Sequence, residues 1–383
     1  MTSHQPTEFV VLPETRARRI VEQLLDGSGI ALNGSNPWDL RVHHPDFFSR
    51  VLHQGTLGLG ESYMDGWWDC DRIDEMAYKM LRHGLGERSR TPKERLAYRL
   101  QSGFLNLQSK ARAYIVGEAH YDLGNDLFAR MLDPTWCYSC GYWKDATTLH
   151  EAQLAKLELA ARKLELEPGM RVLDIGCGWG SFTEHAARHH GVEVTGITIS
   201  KEQAELGRKR CKGLPVEILL QDYRDLNGHF DRIVSIGMFE HVGHRNYRTY
   251  FDTVDRLLDS QGLFVLHTIG SNTSDISADP FINKYIFPNG VLPSTTHINK
   301  ASEGHLLMED WQNFGADYDL TLMAWLRNFD AHWPEIADNY SERTRRMFRY
   351  YLAVCAGAFR ARNLQLWQVV FSKGRPGRYD APR

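Results

Sequence analysis

VLDIGCGWGSFTEHAA, residues 172 to 187, is the stretch whose reading decides the fold. An apolar run ends in an acid, Asp174; Gly176, Gly178 and Gly180 follow at every second position, and a helical pattern begins after them. A strand that stops at glycines and turns into a helix is the usual way to bring backbone amides close to a ligand. A dinucleotide pyrophosphate would require G-x-G-x-x-G, yet the third place is Ser181. The acid expected roughly 20 residues further on for a ribose hydroxyl is replaced by Thr198. A dinucleotide-dependent oxidoreductase therefore fails two tests.

Asp174 adds a third objection, because a carboxylate at the mouth of the turn repels a phosphate and attracts a cation. S-adenosylmethionine, with its adenosine, sulfonium and amino-acid tail, meets both requirements. The plainer reading, a tight βα turn with no ligand, has to be weighed against the rest of the chain.

With 383 residues the chain predicts two or three domains and a sizeable core. Its net charge of −3 gives no global sign of nucleic-acid binding. Six irregularly spaced cysteines do not form a disulfide framework, which points to a reducing compartment and to the cytoplasm. The N-terminal stretch lacks a basic flank followed by an apolar core, and no apolar run reaches about 18 residues, so neither export nor a membrane span is expected.

Residues 1–85 carry short helical patterns broken by glycine, with an aromatic knot at ESYMDGWWDCD, and predict a small, mostly helical N-terminal domain. Residues 86–115 form a basic amphipathic linker: between Arg88 and Arg112, seven basic residues (Arg88, Arg90, Lys93, Arg95, Arg99, Lys110 and Arg112) lie around one acid, Glu94, while Leu96, Leu100, Phe104 and Leu107 recur at helical spacing. Such a stretch suits an anionic membrane surface, and equally a linker helix packed on the protein. From 116 to 383 apolar strands alternate with helical segments, the mark of a mostly parallel sheet covered on both faces. Strands are expected at 170–175, 192–197, 216–220, 230–236, 262–269, 306–311 and 364–371. Seven strands with the glycine turn after the first suit an α/β, Rossmann-like class I methyltransferase. Residues 270–302 are long for a connection and predict a cap over the site; a helical insertion at 316–358 belongs on the same side.

Ligands gather at the carboxyl ends of the strands of an open α/β sheet. The fourth strand runs into Glu240 and His241, and the fifth carries His267, so two adjacent strands deliver an acid and an imidazole to one rim. Cys137 and Cys140 form a C-x-x-C without a second pair at ligand spacing, so no metal is expected there. With Tyr138, Tyr142 and Trp143 they read instead as one wall of an aromatic pocket, suited to positive charge.

HYDLGNDLF (120–128), YSCGYW (138–143), LDIGCGWG (173–180), GMFEHVG (237–243), LHTIGS (266–271), INKYIFPNG (282–290), NFGADYDLTLMAW (313–325) and AFRARNLQLWQVVFSK (358–373) together closely resemble the bacterial cyclopropane-fatty-acyl-phospholipid synthases. With LGLGESYMDGWWDCD (57–71) the likeness spans nearly the whole chain, apart from residues 1–15 and 374–383.

The resemblance implies transfer of the donor's methyl to a cis double bond of a phospholipid acyl chain, closing a cyclopropane ring, with bound bicarbonate as the base. It implies a bicarbonate cage of Cys140, Glu240, His267, the backbone of Ile269, and Tyr318, in which Glu240 orients His267 and Tyr318. For S-adenosylmethionine it implies Tyr138 and Ser139 near the methionine end, and Asp174, Gly176 and Gly178 at the amino-acid tail. Thr198, Ile199 and Gln203 would lie near the ribose, and Asp222 and Tyr223 would hold the adenine. Implied partners are membrane phospholipids, peripheral contact with the inner face of the cytoplasmic membrane, and a second copy in a homodimer. Competing readings are a methyltransferase of a small acceptor, apolar or polar, and a non-catalytic lipid-binding protein.

Overall fold

The computed structural model describes residues 12–85, 124–276 and 278–383. Helix α1 (Arg16–Leu25) starts at Thr15, whose hydroxyl accepts the amide of Arg18 and so satisfies one orphan donor of the first turn. Helix α2 (Phe47–Met64) is broken at Gly55, whose φ of 55° and ψ of −130° leave helical space. A short antiparallel pair, β1 (Arg41–Val42) and β2 (Trp68–Asp69), precedes α3 (Ile73–Arg82). The basic linker lies wholly outside the described residues.

After α4 (Asn125–Met131) and α5 (Leu149–Lys163), the latter begun by a Thr148–Glu151 capping box, the strands and helices alternate. They are β3 (Arg171–Ile175), α6 (Ser181–His190), β4 (Glu193–Thr198), α7 (Lys201–Arg210), β5 (Val216–Leu220), β6 (Phe230–Ile236), α8 (Tyr247–Leu257) and β7 (Leu258–Ser271). Next come α9 (Pro280–Tyr285), α10 (Thr295–Ser302), β8 (Leu307–Asn313), α11 (Ala316–Ile336), α12 (Glu342–Arg360) and β9 (Leu364–Ser372). The seven-stranded sheet has the order β5-β4-β3-β6-β7-β9-β8, and β9 runs antiparallel to both neighbours. The chain order reverses beside β3, which opens the crevice at the carboxyl ends of β3 and β6.

All seven expected sheet strands are present. β7 begins four residues early because Leu258 already pairs with Phe230 across a register shift, a start disguised in the sequence by polar DSQG. The helical insertion divides at a short 3₁₀ turn, Ala337–Asn339, into α11 and α12.

The N-terminal helices and the insertion share one apolar core, in which Trp68, Phe47, Met76, Phe281, Phe348 and Tyr350 are buried together. Ion pairs bind its rim: Arg360 reaches Asp74, Glu75 and Asp319, and Arg346 holds Asp69 and two backbone carbonyls. Gly357 lets α12 touch the backbone of α3, since a Cβ there would stand 2.5 Å from the carbonyl oxygen of Asp74.

Candidate active site

Gly176, Gly178 and Gly180 all adopt left-handed backbone, with φ of 83°, 55° and 84°. L-residues with a Cβ resist that region. At Gly176 a Cβ would also press within 2.7 Å of Met238. The amides of Gly176 and Cys177 both donate to the carbonyl of Ile197, at 3.0 and 2.9 Å, rather than pointing to a ligand. The glycines thus tuck the turn against β4 and open a cavity of about 200 Å³ at the strand ends.

Tyr138, Ser139, Asp174, Gly176, Gly178, Thr198, Ile199, Gln203, Asp222 and Tyr223 all line this cavity. Phe287, Pro288 and Asn289, from the 270–302 segment, close its other side. Burial raises the Asp174 carboxyl to about 7, against the opposing hydrogen bond from Thr183 at 2.8 Å and the charge of Lys156. Thr198 donates to the Gln203 amide oxygen at 2.8 Å, and Arg224 grips the Asp222 carboxylate with two bonds of 2.8 and 2.7 Å.

Two residues on α5 that sequence reasoning missed hold the Ser139 segment in place. Lys156, 1% exposed, donates to the Ser139 hydroxyl at 2.9 Å, and Gln153 donates to its carbonyl at 2.8 Å. On the opposite side Thr321 of α11 accepts from the Gly141 amide at 3.1 Å and from the Trp143 indole at 2.9 Å. Polar side chains inside amphipathic helices give no signal of such roles; a buried Lys at an apolar-stripe position was the one available hint.

Of the five residues expected to form a bicarbonate cage, Tyr318, on α11, neighbours Cys140 and Glu240, Glu240 meets Ile269, and His267 stands two residues before Ile269 on β7. Cys140 is fully buried, and burial together with the charge of Asp317 pushes its thiol well above the ordinary range. A free, buried thiol of this kind is no nucleophile at neutral pH. Tyr318 is raised by burial, then by the neighbouring Cys140 and Glu240. Glu240 differs from expectation: its Oε1 accepts the amide of Ile269 at 2.7 Å, so that amide is already engaged. Among the described residues Glu240 Oε2 and His267 Nε2 are buried and have no hydrogen-bond partner. Glu240 is not hydrogen-bonded to His267 or Tyr318. Instead Gln368, opposite His267 in the β7–β9 register, lies 3.3 Å from its Nδ1. With the side-chain amide assigned as donor there, the ring's proton is assigned to Nε2. Burial raises Glu240 to about 7 and drives His267 well below its ordinary value.

Aromatic rings cluster around Tyr138, which lines the cavity. The Tyr138 ring lies 5.2 Å from Trp325 and 6.2 Å from Phe287, Tyr318 is 6.0 Å from Trp325, and the Tyr138 and Tyr351 hydroxyls are 3.0 Å apart.

The strand order, the reversal beside β3 and the acid-then-glycine turn define a class I S-adenosylmethionine-dependent methyltransferase. The family described as mycolic acid cyclopropane synthetase matches residues 108–369. The chain is 62% identical to cyclopropane-fatty-acyl-phospholipid synthase of Escherichia coli K12 over 96% of each chain. It is 33% identical to a probable fatty acid methyltransferase of Pseudomonas putida, over 94% of this chain and 93% of that protein. The solved cyclopropane synthase MmaA2 from Mycobacterium tuberculosis superposes with a TM-score of 0.65 at 34% identity, covering 68% of this chain and 98% of that one. The chain belongs to the cyclopropane synthase family.

Proposed function

We propose that the protein transfers a methyl from S-adenosylmethionine to the cis double bond of an unsaturated phospholipid acyl chain and closes a cyclopropane ring. The products are the cyclopropanated lipid, S-adenosylhomocysteine and one proton. The observation that carries this reading is 62% identity to the Escherichia coli synthase over nearly the full length of both chains.

The donor supplies a methyl already activated by its sulfonium. An alkene needs no deprotonation before it attacks, so the protein's task is alignment and stabilisation of the positive charge that develops on the acyl chain. Tyr138, Trp325, Tyr318 and Phe287 present electron-rich faces for that purpose. Their apolar surroundings exclude water, which would otherwise trap the cation.

Loss of the proton needs a base. Two buried polar atoms, Glu240 Oε2 and His267 Nε2, suit a small oxyanion: a carboxyl raised to about 7 can carry a proton, and the Gln368-set imidazole offers an N–H. The residues that would hold bicarbonate are these two, with Cys140 and Tyr318 beside them, and the anion would supply the base. Sharing of a proton by Glu240 removes the repulsion two full negative charges would suffer.

The acceptor sits in a bilayer, so the protein must approach one. Surface contact is the proposed mode; among the described residues no helix is long and apolar enough to cross a membrane.

The test is incubation with S-adenosylmethionine and vesicles of monounsaturated phospholipid, read by mass spectrometry. Acyl chains heavier by one methylene and lacking the alkene are expected. Unaltered lipid, together with methylation of a small water-soluble acceptor, would overturn the reading.

A further inference from the structure

Away from the cavity, three potential ligands converge on one point between α5 and α6. Glu158 Oε2 lies 3.2 Å from His185 Nε2 and 3.1 Å from His190 Nε2, and all three atoms fall within 4.8 Å of one another. We propose that Glu158, His185 and His190 form a binding site for a divalent transition metal of the zinc type.

Ligands about 2.0–2.1 Å from a tetrahedral zinc are separated from each other by about 3.3 Å. The two oxygen–nitrogen separations are therefore already those of such a polyhedron, and small ring rotations bring the two nitrogens to the same spacing. Two imidazoles with one carboxylate favour zinc over calcium or magnesium, which take oxygen ligands. The side chains of His185 and His190 are 10% and 18% exposed and that of Glu158 is 46% exposed, so an ion can enter and keep a water as fourth ligand. Each imidazole directs the same nitrogen at the same carboxylate oxygen, a convergence one hydrogen bond apiece does not require.

None of the three residues lines the cavity. A metal here would clamp α5, whose Gln153 and Lys156 hold Ser139, to α6, which follows the glycine turn. Its role is thus structural, a cross-link between the two helices that flank the donor cavity. His185 and His190 form an H-x4-H pair at a usual ligand spacing, but Glu158, the third ligand, lies 27 residues before His185 and so gives no local signal.

Tag-free, full-length protein titrated with zinc chloride should bind one ion per chain by calorimetry and by elemental analysis after dialysis, with a rise in melting temperature. Glu158→Gln and His190→Ala should each weaken that binding about tenfold or more, while far-UV circular dichroism stays the same. No stoichiometric zinc, or undiminished binding in both variants, overturns the proposal. Should either variant fail to fold, the anomalous signal of a zinc-soaked wild-type crystal decides alone: a peak among the three side chains supports the site, and a peak elsewhere or none refutes it.

Discussion

At Asp174 one buried carboxyl lines the cavity proposed for the donor. Burial holds it near 7, so at that pH about half of it carries a proton and cannot attract a cation. On the proposed placement of the donor, its sulfonium and amino group would favour the ionised form and expel the proton. Donor affinity is therefore expected to rise with pH up to about 7 and to level off above it, because above that value Asp174 is already ionised. Calorimetry in buffers of different ionisation enthalpy should record proton release at pH 6 and little at pH 8. Asp174→Asn should weaken binding about tenfold or more and abolish the pH dependence; an unaltered pH profile in that variant would show that another group is responsible. The position of Asp174 is legible in the sequence, since an acid at a strand end before glycines has few other uses. Its protonation is not legible, because that depends on how completely Phe182, Thr183 and the sheet shut out water. Glu240 teaches the same lesson. Its place at the rim can be read from strand order, but its choice of the Ile269 amide over His267 depends on a cross-strand geometry that only the folded sheet settles. Gln368, which holds His267, hides in the strand pattern LQLWQVVF as one more residue between apolar neighbours.

At the scale of elements, the strands were readable because each apolar run is bounded by turn residues, and the segment expected as a cap supplies Phe287, Pro288 and Asn289 to the cavity wall. Its short helix α9 is fastened to α2 through Glu61, which accepts from Lys284 at 2.6 Å, Tyr285 at 2.7 Å and Arg50 at 2.6 Å. Against the upward push of burial, these bonds lower the Glu61 carboxyl from 4.5 to about 2. The folded state thus binds fewer protons than the unfolded chain in that window. The stabilisation is complete above about 4.5 and is lost as pH falls towards about 2. Glu61→Gln should lower the melting temperature at pH 7, and the gap between wild type and variant should narrow below pH 4.5. A gap of constant size down to pH 3 would show that the charge on Glu61 contributes nothing. The fastening was invisible in the sequence because its partners lie more than 220 residues apart.

For the whole molecule, the proposed function requires an acyl chain to reach a cavity partly walled by aromatic rings. The seven basic residues between Arg88 and Arg112 are the sequence feature suited to anionic lipid. Replacing Arg95 and Arg99 with Glu should reduce binding to anionic vesicles several-fold and flatten its salt dependence, with donor affinity unaltered; sedimentation with vesicles at two ionic strengths measures both. Equal vesicle binding by the variant would assign membrane contact to another surface. The order of the sheet has a consequence of its own. β9 comes last among the strands in the chain, yet it lies between β7 and β8. While a ribosome is still making the protein, β7 therefore shows a bare hydrogen-bonding margin to its surroundings, and His267 has no Gln368 to steady it. The sheet is complete only when the final strand slots in, so nascent chains stalled before it should depend heavily on chaperones.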